Sequence, residues 1–388
     1  MNKWQIILLV LITLGATGYW FAAIPATATP AGKDSNIAYL PGSYKVITDS
    51  FEAVDAARKT QPNNDFTGSD SRVFKGKIWR PEGLQQPGPL LVYSHGFMSF
   101  HQEGLYHARF LASHGYTVVA VDYPLTNFFA PGKPKLVDVV NQPADVSFLI
   151  DTVLKRNGDS GDALFNTIDS RKIAVAGVSL GGMTSTLVTF HRKVRDPRIT
   201  AAISIAGPAA MFTADFFANN NVPFMMIGAS GDAMVPFDKN AASIPQKVPG
   251  SILVNLHNAS HAGFAQPAST FMRFFANPDS IGCRELRKNL PATSGDNSSD
   301  NNASFMPGLD GAEYGIDLSD RTMPCSGDMP ATAMKASRQH LFTTLAAYSF
   351  LESIFADDAA GRESAHQFLL QTLPAENSTE VSVTQSAK

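Results

Sequence analysis

The stretch 172–188 constrains this chain more tightly than any other. Lys172-Ile173-Ala174-Val175-Ala176 reads as a buried strand and Gly182-Met183-Thr184-Ser185-Thr186-Leu187-Val188 as a helix, with only Gly177-Val178-Ser179-Leu180-Gly181 between them. Turning from strand to helix in so few residues needs a sharp backbone corner. Flanking glycines let the helix press close onto the strand. A serine at that corner projects its hydroxyl out of the sheet edge, beside helix N–H groups that attract an anion. Ser179 is therefore a candidate nucleophile for acyl transfer.

The same alternation runs through most of the chain. Residues 90–93, 117–122, 201–205, 224–227 and 252–256 are short apolar or β-branched runs. Between them, 107–114 (Phe110 and Leu111 inward) and 144–155 (Val146, Leu149, Ile150, Leu154) carry helical spacing. Strands apolar on both faces and separated by helices predict a parallel sheet buried between helices. Residues 44–47 and 72–79 are the expected entry strands. Pro330 is expected to open a long helix whose inner face carries Leu341, Leu345, Tyr348, Leu351 and Phe355. The 388 residues suffice for one large α/β domain with extensions. A net charge of −3 without a basic stripe points away from nucleic acid.

A serine nucleophile needs a base, and the base an orienting carboxylate, in the chain order Ser, Asp, His for such a sheet. The run 224–227 leads into Gly231-Asp232, on a glycine-rich loop suited to the acid; Asp238 is the alternative. The run 252–256 leads into His257-Asn258-Ala259-Ser260-His261, where His261 is the expected base and His257 the alternative. The other histidines read as surface or packing residues. After 90–93 comes Ser94-His95-Gly96-Phe97-Met98. A turn there offers the Phe97 N–H to a developing oxyanion, paired with the Leu180 N–H. His95 is read as structural. No metal or organic cofactor is required by this chemistry.

These residues carry a resemblance. Tyr93-Ser94-His95-Gly96-Phe97, Val121-Asp122-Tyr123-Pro124, Gly177-Val178-Ser179-Leu180-Gly181-Gly182, Gly231-Asp232 with Val235-Pro236, and Ser260-His261 make the chain similar to α/β-hydrolases of the dienelactone-hydrolase type. Within that group it resembles bacterial relatives of platelet-activating-factor acetylhydrolase and cutinase-like polyester hydrolases. The resemblance covers about 40–275 plus the last long helix. It implies an α/β-hydrolase fold, a mostly parallel central sheet with helices on both faces, and a carboxylic ester hydrolase. In it Ser179, Asp232 and His261 are the triad and Phe97 and Leu180 the oxyanion donors. True dienelactone hydrolases use a cysteine nucleophile, so serine favours ordinary esters. Too little chain separates Pro124 from Ser179 for a large cap domain. The cleft is then open, lined by Phe97, Met98, Phe128 and Met234, and suited to a small or polymeric ester. The alternatives are an amidase or peptidase on the same fold, or a non-catalytic envelope binding protein.

The N-terminus reads as an export segment, 1–28. Lys3 precedes the apolar run and Ala26-Thr27-Ala28 is a cleavage site of small residues. The alternative is an uncleaved membrane anchor at 4–23, which is just long enough to span a bilayer. Either way the protein is expected to be exported, periplasmic or secreted, with membrane contact only through that segment. An exported chain with two cysteines predicts a disulfide, Cys283–Cys325. In the expected layout the catalytic domain runs over 40–373. A flexible insertion, about 284–328 and rich in Asn, Asp, Ser and Gly, is pinned by the disulfide, and 374–388 is a disordered tail. Asp296, Asp300 and Asp310 do not have the spacing of a calcium loop.

Overall fold

The computed structural model describes residues 24–218, 220–289 and 304–387. Most of the expected export segment, and 290–303 of the insertion, lie outside the described residues. Nine strands form one sheet: β1 Val46–Asp55, β2 Arg72–Pro81, β3 Gly88–Ser94, β4 Thr117–Asp122, β5 Ile168–Val178, β6 Ala201–Ile205, β7 Phe224–Ala229, β8 Ile252–Leu256 and β9 Val381–Gln385. Their spatial order is β1-β2-β4-β3-β5-β6-β7-β8-β9. Strands β3 to β8 are parallel, while β1, β2 and β9 are antiparallel at the two edges.

The parallel core follows from side chains that are apolar on both faces. Along β3, Leu90 and Val92 face one core, which packs on helices Gln142–Asn157 and Leu180–Phe190 through Val146, Leu149, Ile150, Met183 and Leu187. Leu91 and Tyr93 face the other, against helices Leu105–Ser113 and Ala336–Phe355 through Leu111, Leu341, Phe342 and Leu345. Burial of each such Leu or Phe stabilises by about 1.5–3 kcal/mol. Between β4 and β5 the chain forms only the 3-10 turn Leu136–Asn141 and helix Gln142–Asn157.

Strand order places the site. From β3 the chain passes to β4 on one side, then crosses back to β5 on the other. Loops leaving β3 and β5 therefore diverge, opening a crevice at their C-terminal ends. Ser94 and Gly177 are register partners there.

Three expectations need correction. The long helix starts at Ala336, not Pro330; Pro330 instead accepts a hydrogen bond from Asn277. The insertion is not flexible throughout. Met306, Leu309 and Ile316 are buried in the core, and the His191 ring bonds the Leu309 carbonyl. Nor is 374–388 a disordered tail: β9 extends the sheet, pairing Val381 with Leu256 and Gln385 with Ile252. Val-Ser-Val-Thr-Gln is β-branched and alternating, and β8 offers it an open edge.

Truncation before Val381 removes that strand. Loss of the buried Val381 side chain alone costs about 1.5–3 kcal/mol, and β8 becomes an unprotected edge. Thermal unfolding of the truncated chain is expected at a clearly lower Tm, and light scattering should show earlier aggregation.

Candidate active site

At the end of β5 the backbone turns at Ser179 with φ +56° and ψ −119°. That is a strained conformation for a residue with a side chain, costing about 1–3 kcal/mol. It is held by the Ser179 N–H donating to Ile205 O (2.8 Å) and by Met183 N–H donating to Ser179 O (3.0 Å). The motif glycines have a steric reason. A Cβ on Gly181 would lie 2.0 Å from Ser94 O, and one on Gly177 would lie 2.4 Å from the Gly181 carbonyl carbon. The first helical turn rests directly on the end of β3, where no side chain fits.

Asp232 and His261 come together beyond β7 and β8. His261 Nδ1 donates to Asp232 Oδ2 at 2.7 Å, and both residues are buried. The other carboxylate oxygen, Oδ1, accepts the N–H groups of Met234 (2.8 Å) and Val235 (2.6 Å). Burial holds the Asp232 carboxyl above its ordinary range. Burial alone would lower His261, but the Asp232 charge and hydrogen bond outweigh it and leave the imidazole above its ordinary value. The alternatives lie elsewhere. His257 Nε2 bonds Ser382 Oγ of β9 (2.9 Å), and Asp238 is exposed.

At the end of β3, His95 is held on both ring nitrogens. Nδ1 donates to Gly96 O (2.7 Å) and Nε2 accepts the Tyr123 N–H (3.1 Å). Burial lowers its pKa, so it stays neutral. The next turn leaves the N–H of Phe97 without a partner among the described residues, as the helix start leaves that of Leu180. Phe97, Met98 and Met234 are half-buried, while Phe128 and its neighbour Phe129 are exposed. Phe128 N–H donates to Ser99 O (2.7 Å) and Met98 N–H to Thr126 O (2.9 Å), tying this aromatic rim to the turn.

Three residues were not visible as site residues in the sequence. Glu103 is buried and accepts the Gly96 N–H (2.9 Å) and, at 3.4 Å, the Tyr93 hydroxyl. A Cβ on Gly96 would sit 3.2 Å from Glu103 Oε1 and 3.3 Å from Ser179 Cβ, so only this glycine separates the two side chains. Burial pushes the Glu103 carboxyl up to about 7, against its hydrogen bonds from Ser99, Gly96 and Tyr93. Gln339, on helix Ala336–Phe355, donates to Ser260 O (2.7 Å) and accepts the Ser260 N–H (3.3 Å). Asp279 is wholly buried at the start of helix Asp279–Asn289. Its Oδ2 accepts the N–H groups of Ala233 (3.0 Å) and His261 (3.1 Å), and Oδ1 accepts that of Ala262 (2.7 Å). One carboxylate thus binds the loop carrying Asp232 to the loop carrying His261.

The disulfide Cys283–Cys325 is formed. It ties the Asp279 helix to a segment whose Cys325 and Gly327 N–H groups donate to Met234 O and Ala233 O, both at 3.2 Å.

Sheet order, serine corner and buried Asp–His pair define an α/β-hydrolase. The chain belongs to the family described as PETase: PET hydrolase-like, which it matches over residues 49–277. No curated protein matches it. Family membership implies a serine ester hydrolase, in keeping with the expected resemblance to polyester hydrolases. The match stops short of Asp279, the disulfide and helix Ala336–Phe355.

Asp279→Ala would strand the N–H groups of Ala233, His261 and Ala262, the first two buried and each costing about 1–3 kcal/mol. The variant is expected to melt well below the parent, and its folded fraction to lose ester hydrolysis mainly in kcat. Calorimetry beside initial-rate kinetics at a temperature where both chains are folded checks this. An unchanged kcat would show that the two loops hold their relation without Asp279.

Proposed function

We propose that the chain hydrolyses carboxylic esters through an acyl-enzyme on Ser179, with His261 as base and Asp232 as its orienting acid. The observation that carries this reading is the buried 2.7 Å bond from His261 Nδ1 to Asp232. It fixes the tautomer that leaves Nε2 as the proton acceptor. Ser179 attacks the ester carbonyl as His261 takes its proton, and Asp232 stabilises the imidazolium. The N–H groups of Phe97 and Leu180 receive the oxyanion. His261 returns the proton to the departing alcohol, and water then repeats the sequence on the acyl-enzyme. The half-buried Phe97, Met98 and Met234 and the exposed Phe128 suit an open, aromatic-rimmed cleft that takes small esters or exposed segments of a polyester. The disulfide suits an exported enzyme.

Ser179→Ala should keep the fold and lose nitrophenyl-ester hydrolysis by about 10⁴-fold or more. His261→Ala should lose a similar amount and His257→Ala little. A fluorophosphonate should label Ser179 in the parent. Retained activity in the Ser179 or His261 variant would overturn the assignment.

The pH profile tests the electrostatics. Only the neutral imidazole accepts a proton, so kcat/KM falls as pH drops through the His261 value. That value is raised, so the acidic limb should have its midpoint above about 6.5. The Glu103 charge favours the imidazolium. Glu103→Gln removes that charge while keeping an acceptor for Gly96, and should move the limb to lower pH. A limb that stays in place would show that His261 does not sense Glu103.

A further inference from the structure

The two N–H groups assigned to the oxyanion come from different parts of the sheet. Phe97 lies in the turn after β3, and Leu180 opens the helix after β5. The contact of Gly181 with Ser94 locates the strand ends. Phe97, however, lies three residues beyond Ser94, where the loops diverge. Something must fix its N–H relative to that of Leu180.

The turn itself is strained. Met98 takes φ +60°, a left-handed conformation disfavoured for a residue with a long side chain. It is held from outside by the loop that follows β4. The Met98 N–H donates to Thr126 O (2.9 Å), and Ser99 O accepts the Phe128 N–H (2.7 Å).

From Thr126 the bonds run inward. Gln142 Nε2 donates to Thr126 Oγ1 (2.8 Å), and Gln142 Oε1 accepts from the Thr184 hydroxyl. That hydroxyl also lies 2.9 Å from Leu180 O, one helical turn back. Thr126, Gln142 and Thr184 are all wholly buried. Gln142 opens helix Gln142–Asn157 with Pro143 directly after it, which fixes the start of that helix. Hydrogen bonds thus lead without a break from the residue after Phe97 to the carbonyl of Leu180. They pass through three elements: the β4 loop and the two helices Gln142–Asn157 and Leu180–Phe190. The core on this face is otherwise apolar, with Val139, Val146, Leu149 and Met183. Apolar side chains of the same shape would serve packing as well or better there.

We propose that Thr126, Gln142 and Thr184 form a positioning relay that sets the Phe97 and Leu180 N–H groups at a fixed separation, so that both reach one oxyanion. The relay presupposes the oxyanion roles proposed above. It acts behind the crevice and touches no substrate. Its effect falls on the transition state, because two N–H groups stabilise the oxyanion only when both lie within hydrogen-bond distance of it. A misplacement of about 1 Å at such a site can cost on the order of 100-fold in rate.

The test uses the full chain with a soluble nitrophenyl ester, and a phenyl trifluoromethyl ketone as inhibitor. Ser179 Oγ adds to the ketone carbonyl and its proton passes to His261, leaving a hemiketal oxyanion between the two N–H groups. Thr126→Val, which keeps the volume and removes the hydroxyl, and Gln142→Met should each lower kcat roughly 10- to 100-fold with KM little changed. Inhibition by the ketone should weaken by a similar factor. Thr126→Ser, which restores the hydroxyl, should recover most of the loss. In Thr126→Val/Thr184→Val the losses should not multiply, because either substitution already breaks the relay. Near-UV circular dichroism checks the fold of each variant, and Thr126→Val decides the matter if Gln142→Met does not fold. Full kcat and unweakened ketone inhibition in Thr126→Val, even with a lowered Tm, overturn the relay and leave the oxyanion roles standing. Losses that multiply in the double variant overturn it as well, since the two donors are then held separately. A parent that neither hydrolyses the ester nor binds the ketone overturns the oxyanion roles, and the relay with them.

Discussion

The site depends on a backbone contact that leaves no room for a side chain. Where β3, β5 and helix Leu180–Phe190 meet, Gly181 presses on the Ser94 carbonyl and Gly177 on the Gly181 carbonyl. A second such contact lies one residue on, where a Cβ on Gly182 would fall 2.7 Å from Ser204 Oγ and 3.0 Å from the Gly207 Cα. Helix and sheet are therefore located by main chain against main chain, with far less slack than interdigitated side chains allow. The strained corner at Ser179 persists because this contact and its bonds to Ile205 and Met183 over-determine it. The same approach brings Gly96, in the turn after β3, beside Ser179.

Around that corner the protein concentrates buried carboxylates. Asp232, Asp279 and Glu103 all act on the electrostatics of His261, and each raises its pKa. Only Asp232 touches the ring. Asp279 accepts three N–H groups, and Glu103 accepts one N–H and two hydroxyl groups. Such charge-assisted bonds are strong where water is excluded. The arrangement favours the imidazolium, the form that the mechanism proposed above requires as Ser179 gives up its proton. It also makes the resting imidazole easier to protonate, so in that proposed mechanism gain in the transition state is coupled to loss of base at low pH. A buried carboxyl near 7 at the turn after β3, Glu103, adds a group whose charge changes over the same pH range.

The parts of this molecule legible from sequence are those encoded locally. Apolar runs such as 117–122 and 252–256 declare buried strands, and the glycines around Ser179 declare a corner, because a few consecutive residues carry the whole signal. The order Ser, Asp, His along the chain then points to Asp232 and His261, which the fold does bring into contact. Asp279 and Gln339 carry no such local mark. Asp279 stands 18 residues after His261 and Gln339 stands 79 after Ser260, and each gains its role only through tertiary packing. Glu103 is equally silent, being a glutamate ahead of a helix until Gly96 folds back onto it. The β9 strand was hidden for another reason. Its polar, C-terminal setting resembles a tail, and only the open edge of β8 makes the alternation of Val381 and Val383 matter.

The disulfide shows how far a long-range constraint can reach into the site. In sequence it brackets a polar excursion and lies wholly beyond the expected triad, which suggests a staple remote from chemistry. In the structure Cys283 lies one helical turn from Asp279, and Cys325 donates its N–H to Met234 O, two residues from Asp232. The covalent link therefore closes a loop that already contains hydrogen bonds: from Asp279 through Ala233 to the acid loop, from that loop through Met234 to Cys325, and back through sulfur to the Asp279 helix. Closing such a circuit limits how far the helix can draw away from the two loops it holds. The geometry of Asp232 and His261 is thereby linked to an oxidised Cys283–Cys325 pair, a bond that persists only outside a reducing cytoplasm.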